Sequence, residues 1–108
     1  MENLKPVEEH EQLIDEKPLF FKTVAIQRLI KYILKSPLYI NVEYYPEYVF
    51  AEHIDTESWA EGADDYDAIN GLRMEIEALY RHLKKTPDEK LGKNLLSWKR
   101  LLSSVIED

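Results

Sequence analysis

The sequence predicts a mainly α protein, a small helical bundle that ends in an antiparallel C-terminal helical hairpin. Three observations support this class. The chain has 108 residues, of which 44% are hydrophobic, and this size and composition suit one domain with one core. Two long segments near the C-terminus repeat apolar residues every three or four positions, as amphipathic helices do. A third apolar-rich segment begins at Pro18, and proline favours the first turn of a helix.

The first third of the chain divides into a polar segment and an apolar one. Residues 1–17 are interpreted as a polar arm or a short helix. Residues 18–35 are predicted to form a largely buried helix, because their polar side chains gather in one narrow stripe. That helix is expected to end at Ser36, since Pro37 disfavours helical geometry in the residue before it.

Residues 36–66 connect this helix to the C-terminal hairpin, and their first part allows two interpretations. Apolar or aromatic residues stand at every second position from Leu38 to Tyr44, which is typical of a strand and favours a short β-hairpin over 38–54. Pro46 interrupts this alternation. The alternative is therefore a helix that begins at Pro46.

The last third of the chain gives the clearest helical pattern. Residues 67–85 are predicted to form one helix, and residues 87–106 are predicted to form the next. Their apolar stripes are Ile69, Leu72, Ile76, Leu79 and Leu83, then Leu91, Leu95, Trp98, Leu102 and Val105. The short connection between the two segments makes them antiparallel neighbours.

Both C-terminal helices have candidate caps. The first is expected to be capped by Asp64, Asp65 or Asp67, whose carboxylates also suit the positive end of a helix dipole. Thr86 begins a capping box that includes Glu89, with Pro87 at the first helical position.

Charge is uneven along the chain. The formal net charge is −7, which favours solubility and disfavours nonspecific binding to nucleic acid or anionic lipid. From Ser36 to Gly71 there is no lysine or arginine, but there are nine acidic residues. An ordinary solubilising surface mixes both signs of charge. This third of the chain therefore carries the negative excess.

Features that the sequence lacks limit the cellular compartments in which we expect the protein. The chain has no cysteine, which excludes disulfides and thiolate zinc sites and suits a reducing cytoplasm. The first residues lack the basic start and apolar run of a secretory signal. The longest apolar-rich run, 18–34, is interrupted by charged residues, so no membrane span is expected. We expect a cytoplasmic protein.

Residues that could support catalysis or metal binding are few. His10, His53 and His82 stand apart, without a second histidine at metal-ligand spacing. Neither a Gly-x-Ser-x-Gly nucleophile turn nor a phosphate-binding glycine loop occurs. A calcium loop counted from Asp65 places Asn70 where glycine is required. We therefore expect that the protein is not an enzyme and that it binds neither a metal nor a cofactor.

The acidic stretch is the candidate functional site. Its acids are interleaved with seven aromatic residues: Tyr39, Tyr44, Tyr45, Tyr48, Phe50, Trp59 and Tyr66. Tyrosine and tryptophan are typical anchors of interfaces, and acids around them steer a basic partner. The predicted partner-binding residues are Glu43, Tyr44, Tyr45, Glu47, Tyr48, Trp59, Asp64 and Asp65. The alternative is a merely solvated surface, which is the usual role of a charge run.

A protein with a basic surface is the expected partner, with no direct contact to nucleic acid or membrane. The predicted function is to inhibit or neutralise that partner by occlusion, as an immunity protein, antitoxin or phage-type inhibitor does. The alternative function is a structural or assembly adaptor that associates through its helical hairpin.

Two short motifs lie in the acidic stretch: Tyr44-Tyr45-Pro46 and Gly62-Ala63-Asp64-Asp65, the second followed by Ile69 at the opening of an amphipathic helix. Together they resemble colicin-type nuclease immunity proteins, over about a quarter of the chain. Members of that family are small acidic helical proteins whose paired tyrosines and nearby acids dock on a basic nuclease toxin. The resemblance implies a helical fold, a nuclease toxin as partner, and contacts from Tyr44, Tyr45, Asp64 and Asp65. The segment between the two motifs is longer here than in the family.

Overall fold

The computed structural model of the chain describes residues 17–108, which form a five-stranded antiparallel sheet and two α-helices. The strands are β1 (Phe20–Arg28), β2 (Ile33–Tyr44), β3 (Val49–His53), β4 (Ser58–Gly62) and β5 (Ile106–Glu107). The helices are α1 (Asp65–Lys84) and α2 (Lys93–Val105), and 3₁₀ turns cover Ile54–Thr56 and Asp88–Lys90. The fold is therefore α/β, and the predicted mainly α helical bundle is wrong. The arm expected for residues 1–17 lies, except for Lys17, outside the described residues.

The sheet has the strand order β1-β2-β3-β4, and each of these strands is antiparallel to the next. One row crosses all four through Phe20, Tyr44, Val49 and Gly62. The short β5 pairs with the first residues of β2. Because residues opposite each other in antiparallel strands point to the same face, this register decides which side chains share a face.

The helix predicted for residues 18–35 is wrong, because this segment forms β1, a turn and the start of β2. The turn is closed by the Leu29 N–H, which donates to the Tyr32 carbonyl at 2.8 Å. A short apolar segment fits a buried helix or a strand by its period alone. Here the phenylalanines and β-branched residues favour a strand once a neighbouring strand pairs with them.

Pro37 lies inside β2 and does not end a helix. Ile26 pairs with Leu38 and Arg28 pairs with Ile33, so the register shifts between these pairs and residues 34–37 leave the ladder with β1. Proline cannot donate a ladder hydrogen bond, and such an irregularity is where a strand tolerates it.

The strand interpretation of residues 38–54 is confirmed, since β2 and β3 form an antiparallel hairpin. Around its turn the Tyr45 N–H donates to the Tyr48 carbonyl at 2.9 Å. Pro46 is the second residue of the four-residue turn that begins at Tyr45, the position (i+1) where the fixed φ of proline is favourable. The alternative helix beginning at Pro46 is therefore excluded.

Helix α1 confirms the clearest of the predicted helices and one of its proposed caps. Asp64 is the N-cap, because its Oδ1 accepts a hydrogen bond from the Asp67 N–H at 2.9 Å. The buried side of α1 packs on one face of the sheet: Ala68, Leu72 and Ile76 form one buried cluster with Ile26, Leu38, Ile40, Val42, Val49 and Ala51. Burying a large aliphatic side chain contributes roughly 1.5–3 kcal/mol, so this layer dominates the stability of the fold.

The second helix begins later than predicted, and the capping box at Thr86 is wrong. The Thr86 hydroxyl donates to the His82 carbonyl at 3.0 Å, so it serves the end of α1. The chain then forms a 3₁₀ turn, and α2 begins only at Lys93. Lys99 of α2 donates to the Thr86 carbonyl and to Asp88 Oδ1, each at 2.7 Å. These two bonds fasten the connection to α2, and the bond from Lys99 to Asp88 holds the pKa of the Asp88 carboxyl below its ordinary value.

Gly62→Ala should destabilise the protein strongly. A Cβ at this position would lie 2.5 Å from the Ala68 nitrogen and 2.6 Å from Asp67 Cβ, closer than packed atoms allow. We expect the free energy of unfolding in urea to fall by about 3 kcal/mol, the upper end of the usual cost of overpacking. Gly92→Ala is the matched control, since nothing lies within 4 Å of a Cβ there. It should cost less than about 1 kcal/mol, as a changed N-cap does. Equal effects at the two glycines would contradict the close packing.

Candidate functional site

The sheet has one face covered by helices and one face left open. Both α1 and α2 pack on the face that carries the buried core residues. The opposite face, here called the outer face, is formed by alternate residues of four strands: Phe21, Thr23, Ala25, Tyr39, Asn41, Glu43, Phe50, Glu52, Trp59 and Glu61. None of these ten side chains is buried, and none is a lysine or arginine. Towards the start of β2 the same side of the sheet carries the exposed Ile33 and Lys35, which alternate with buried Leu34. Within residues 17–108, no element covers this face.

The outer face exposes large aromatic side chains. Phe21 is 72% exposed, Tyr39 is 64% exposed and Trp59 is 56% exposed. Phe50 lies beside Trp59, with ring centroids 5.8 Å apart and nearly parallel planes. Isolated exposed apolar residues are ordinary, but several on one flat face are typical of a binding surface.

Acids and aromatic rings alternate across this face. One row crosses the strands through Phe21, Glu43, Phe50 and Glu61. In the adjacent row Glu52 lies opposite Trp59. Each acid therefore has an aromatic residue directly opposite on a neighbouring strand, and no two acids are directly paired. Like charges directly opposite would destabilise the sheet, so this arrangement concentrates negative charge at little cost to the fold.

The predicted site residues divide between two places, and the first is the outer face with the β2–β3 turn beside it. Glu43 and Trp59 lie on the outer face. Tyr45 and Tyr48 flank the turn, where their rings stack with centroids 4.7 Å apart. The Tyr45 hydroxyl donates to Glu43 Oε1 at 2.7 Å, which joins the turn to the outer face. Glu47 is exposed at the tip of the same turn.

The other predicted residues lie on the helix side of the sheet. The Tyr44 hydroxyl donates to Asp65 Oδ2 at 2.7 Å, and this bond holds the pKa of the Asp65 carboxyl below its ordinary value. Phe20 stacks on the Tyr44 ring at 4.2 Å, and Lys22 lies over the same ring. Asp64 caps α1. The structure therefore gives Tyr44, Asp64 and Asp65 contacts within the chain, away from the outer face.

Several outer-face residues lie outside the predicted site. Phe21 falls in the segment predicted as a buried helix, and Tyr39, Phe50, Glu52 and Glu61 belong to the acidic stretch but not to the predicted partner-binding residues. The missing signal was the period of two. Applied separately to 20–28, 49–53 and 58–62, as well as to 38–44, it places every second side chain of each strand on one face; the turn at 54–57 shifts the phase between β3 and β4.

A groove runs beside β4, at the edge of the sheet. It has a volume of about 450 Å³ and is called here the edge groove; its lining residues are Thr56, Glu57, Ser58, Trp59, Ala60, Glu75, Leu79 and Trp98. Glu57 has a left-handed backbone with φ of 55°, which turns the chain from the 3₁₀ turn into β4. This conformation costs about 1–2 kcal/mol for a residue with a Cβ.

A buried polar chain supports the edge groove from behind. His53 Nδ1 lies 2.7 Å from Thr56 Oγ1, and that hydroxyl lies 3.0 Å from Ser58 Oγ. His53 is 3% exposed, and burial lowers its pKa although Asp55 partly opposes the shift. Among residues 17–108 no group of three or more histidine, aspartate or glutamate side chains is placed to hold a metal ion.

Stability should fall as the pH is lowered from about 7.5 to 5, because of His53. The unfolded chain takes up a proton on this histidine near its ordinary pKa of about 6.5. The folded chain does so only at lower pH, since burial lowers the pKa of His53. The unfolded state therefore binds more protons in this window and is favoured as the pH falls.

The measurement is urea denaturation across this pH range for the natural chain, His53→Gln and His82→Gln. His53→Gln should flatten the pH dependence, whereas His82→Gln, at an exposed position of α1, should leave it unchanged. An unchanged slope in His53→Gln would show that another group causes the pH dependence.

No family model, no curated protein and no solved structure matches this chain. The helical fold implied by the resemblance to immunity proteins is absent, since Tyr44 ends a strand of a sheet and Tyr45 begins the turn after it. The function is therefore argued from the chemistry of the outer face and the edge groove.

Proposed function

We propose that the protein is a binding module that inhibits or neutralises a partner protein by covering a basic surface on it. The observation that carries this proposal is the outer face, which joins the glutamates Glu43, Glu52 and Glu61 to exposed aromatic rings, with no lysine or arginine among its ten residues. An immunity protein, an antitoxin and a phage-type inhibitor all work in this way, by occlusion without turnover.

The two kinds of residue on the outer face serve different steps of binding. The carboxylates attract a basic partner over a distance and raise the association rate. The rings supply rigid contact area, which is typical of the few residues that carry most of the binding energy. A surface that was only solvated would not need Tyr39 and Trp59 to be exposed together among acids.

The size of the outer face indicates that the partner also contacts its rim. Four strands about 4.8 Å apart and about 17 Å long give roughly 300 Å² of flat area. A standard interface buries about 800 Å² on each partner. The turn with Tyr45 and Tyr48 at one end, and the edge groove at one side, are the adjoining surfaces that can supply the remainder.

The adaptor function has less support from the fold. Pairing with another copy through the helical hairpin requires an exposed apolar stripe, but Leu72, Ile76 and Leu83 of α1 are buried within the chain. Among residues 17–108, no helix is long and apolar enough to cross a membrane. A cytoplasmic location belongs to the proposal and is supported by the absence of cysteine.

Tyr39→Ala should weaken binding of a basic partner by about 2 kcal/mol, or about thirtyfold in Kd. Tyr66→Ala on α1 is the matched control, since Tyr66 is 73% exposed but lies away from the outer face. The partner is first captured at low salt by the immobilised protein and purified. Its binding to each variant is then measured by surface plasmon resonance. Equal losses in the two variants would contradict the proposal.

Glu52→Lys should mainly slow association and reduce its dependence on salt, because a surface charge acts on the encounter between the partners. Glu89→Lys, in the 3₁₀ turn before α2, is the control for the change in net charge. Association rates at two ionic strengths give the comparison. A rate that is independent of salt in the natural chain would exclude electrostatic attraction as the basis of recognition.

A further inference from the structure

Strand β4 has a free edge. It pairs with β3 on one side, and among residues 17–108 no strand pairs with its other side. Alternate N–H and C=O groups along such an edge are available to another extended chain, which can add as one more strand. The edge groove lies directly beside this free edge, because β4 itself contributes Ser58, Trp59 and Ala60 to its lining.

The lining of the edge groove suits a long basic side chain. Glu57 and Glu75 supply carboxylates, both are exposed, and no lysine or arginine lines the groove. Leu79, Trp59 and Trp98 supply apolar and aromatic walls. The methylenes of an arginine or lysine pack on such walls while its charged end reaches a carboxylate or an aromatic ring.

We propose that the free edge of β4 binds an extended basic segment of the partner as an added strand, with an arginine or lysine side chain in the edge groove. This inference rests on the proposed function, since it specifies how a basic partner engages the chain. The edge groove would also supply part of the contact area that the outer face alone lacks. Trp59 connects the two surfaces, because it contacts Phe50 on the outer face and lines the edge groove.

Charge selects this occupant over a second copy of the chain. A second β4 on the same edge would bring Glu57 and Glu61 of one copy close to the same acids of the other. Like charges on adjacent strands are destabilising, and each chain already carries a net charge of −7. An apolar segment would cover the carboxylates of the edge groove without pairing them. A basic segment avoids both costs.

Phage-displayed random peptides of strand length, selected on the purified protein, test the proposal. We expect the enriched peptides to carry arginine or lysine at alternate positions. The best peptide is then synthesised in its natural form, with N-methylation at alternate backbone nitrogens, and with citrulline in place of arginine. Each of the two changes should weaken binding about tenfold or more, by removing strand pairing in one case and charge in the other.

Variants of the protein test whether the peptide binds in the edge groove. Glu57→Gln and Glu75→Gln should each weaken binding several-fold, whereas Glu89→Gln, outside the edge groove, should not change it. Backbone amide chemical shifts should change along Ser58–Gly62. Unchanged affinity on N-methylation, or in both edge-groove variants, would overturn the proposal.

The outcomes separate this inference from the proposed function. Basic peptides that lose affinity in Tyr39→Ala and Glu52→Lys but not in Glu57→Gln or Glu75→Gln would leave the outer face as the site and reject the edge groove. Enrichment of peptides without basic residues would contradict both.

Discussion

Helix α1 can lie close to the sheet only because the residues between them are small. Gly62 has the start of α1 directly against it, and a Cβ on Gly71 would lie 3.1 Å from Ala60 Cβ. This close approach brings Leu72 and Ile76 into the layer that buries the inner face of the sheet. Because the core lies on that side, the outer face is free to carry acids, which a core would not accept, together with exposed rings.

A buried carboxylate fastens the other end of α1 to the sheet. Glu77 Oε1 accepts the backbone N–H of Lys31, in the β1–β2 turn, at 2.8 Å, and its Oε2 accepts from Arg81 at 2.8 Å. A buried carboxylate is tolerated only when such donors satisfy it. Nearby, Asp108 accepts hydrogen bonds from Tyr80 and Lys84, and it thereby raises the pKa of Lys84. These contacts hold the β1–β2 turn and the C-terminal residue after β5 against α1.

The sequence predicts α1 and limits its cap to Asp64, Asp65 or Asp67, because local rules govern both. The apolar spacing of a long helix is unambiguous, and a cap involves residues three positions apart. The strands were predictable only where alternation was clean, as from Leu38 to Tyr44. In residues 18–35 the apolar spacing fits both structures, and pairing with β2 decides the outcome. Tyr44 and Tyr39 are five positions apart in one strand, so local alternation alone puts them on opposite faces. Which of the two faces the helices cover depends on contacts far apart in sequence.

We propose that the outer face, and not the helical side of the molecule, contacts the partner. Hydroxyl-radical footprinting of the free chain and of its complex with a basic partner tests this directly. Tyr39 and Trp59 are exposed on the outer face, while Tyr66 and Met74 are exposed on α1. If the outer face is the interface, oxidation of Tyr39 and Trp59 falls in the complex, whereas oxidation of Tyr66 and Met74 is unchanged. Protection of Tyr66 and Met74, with Tyr39 and Trp59 still oxidised, would contradict it.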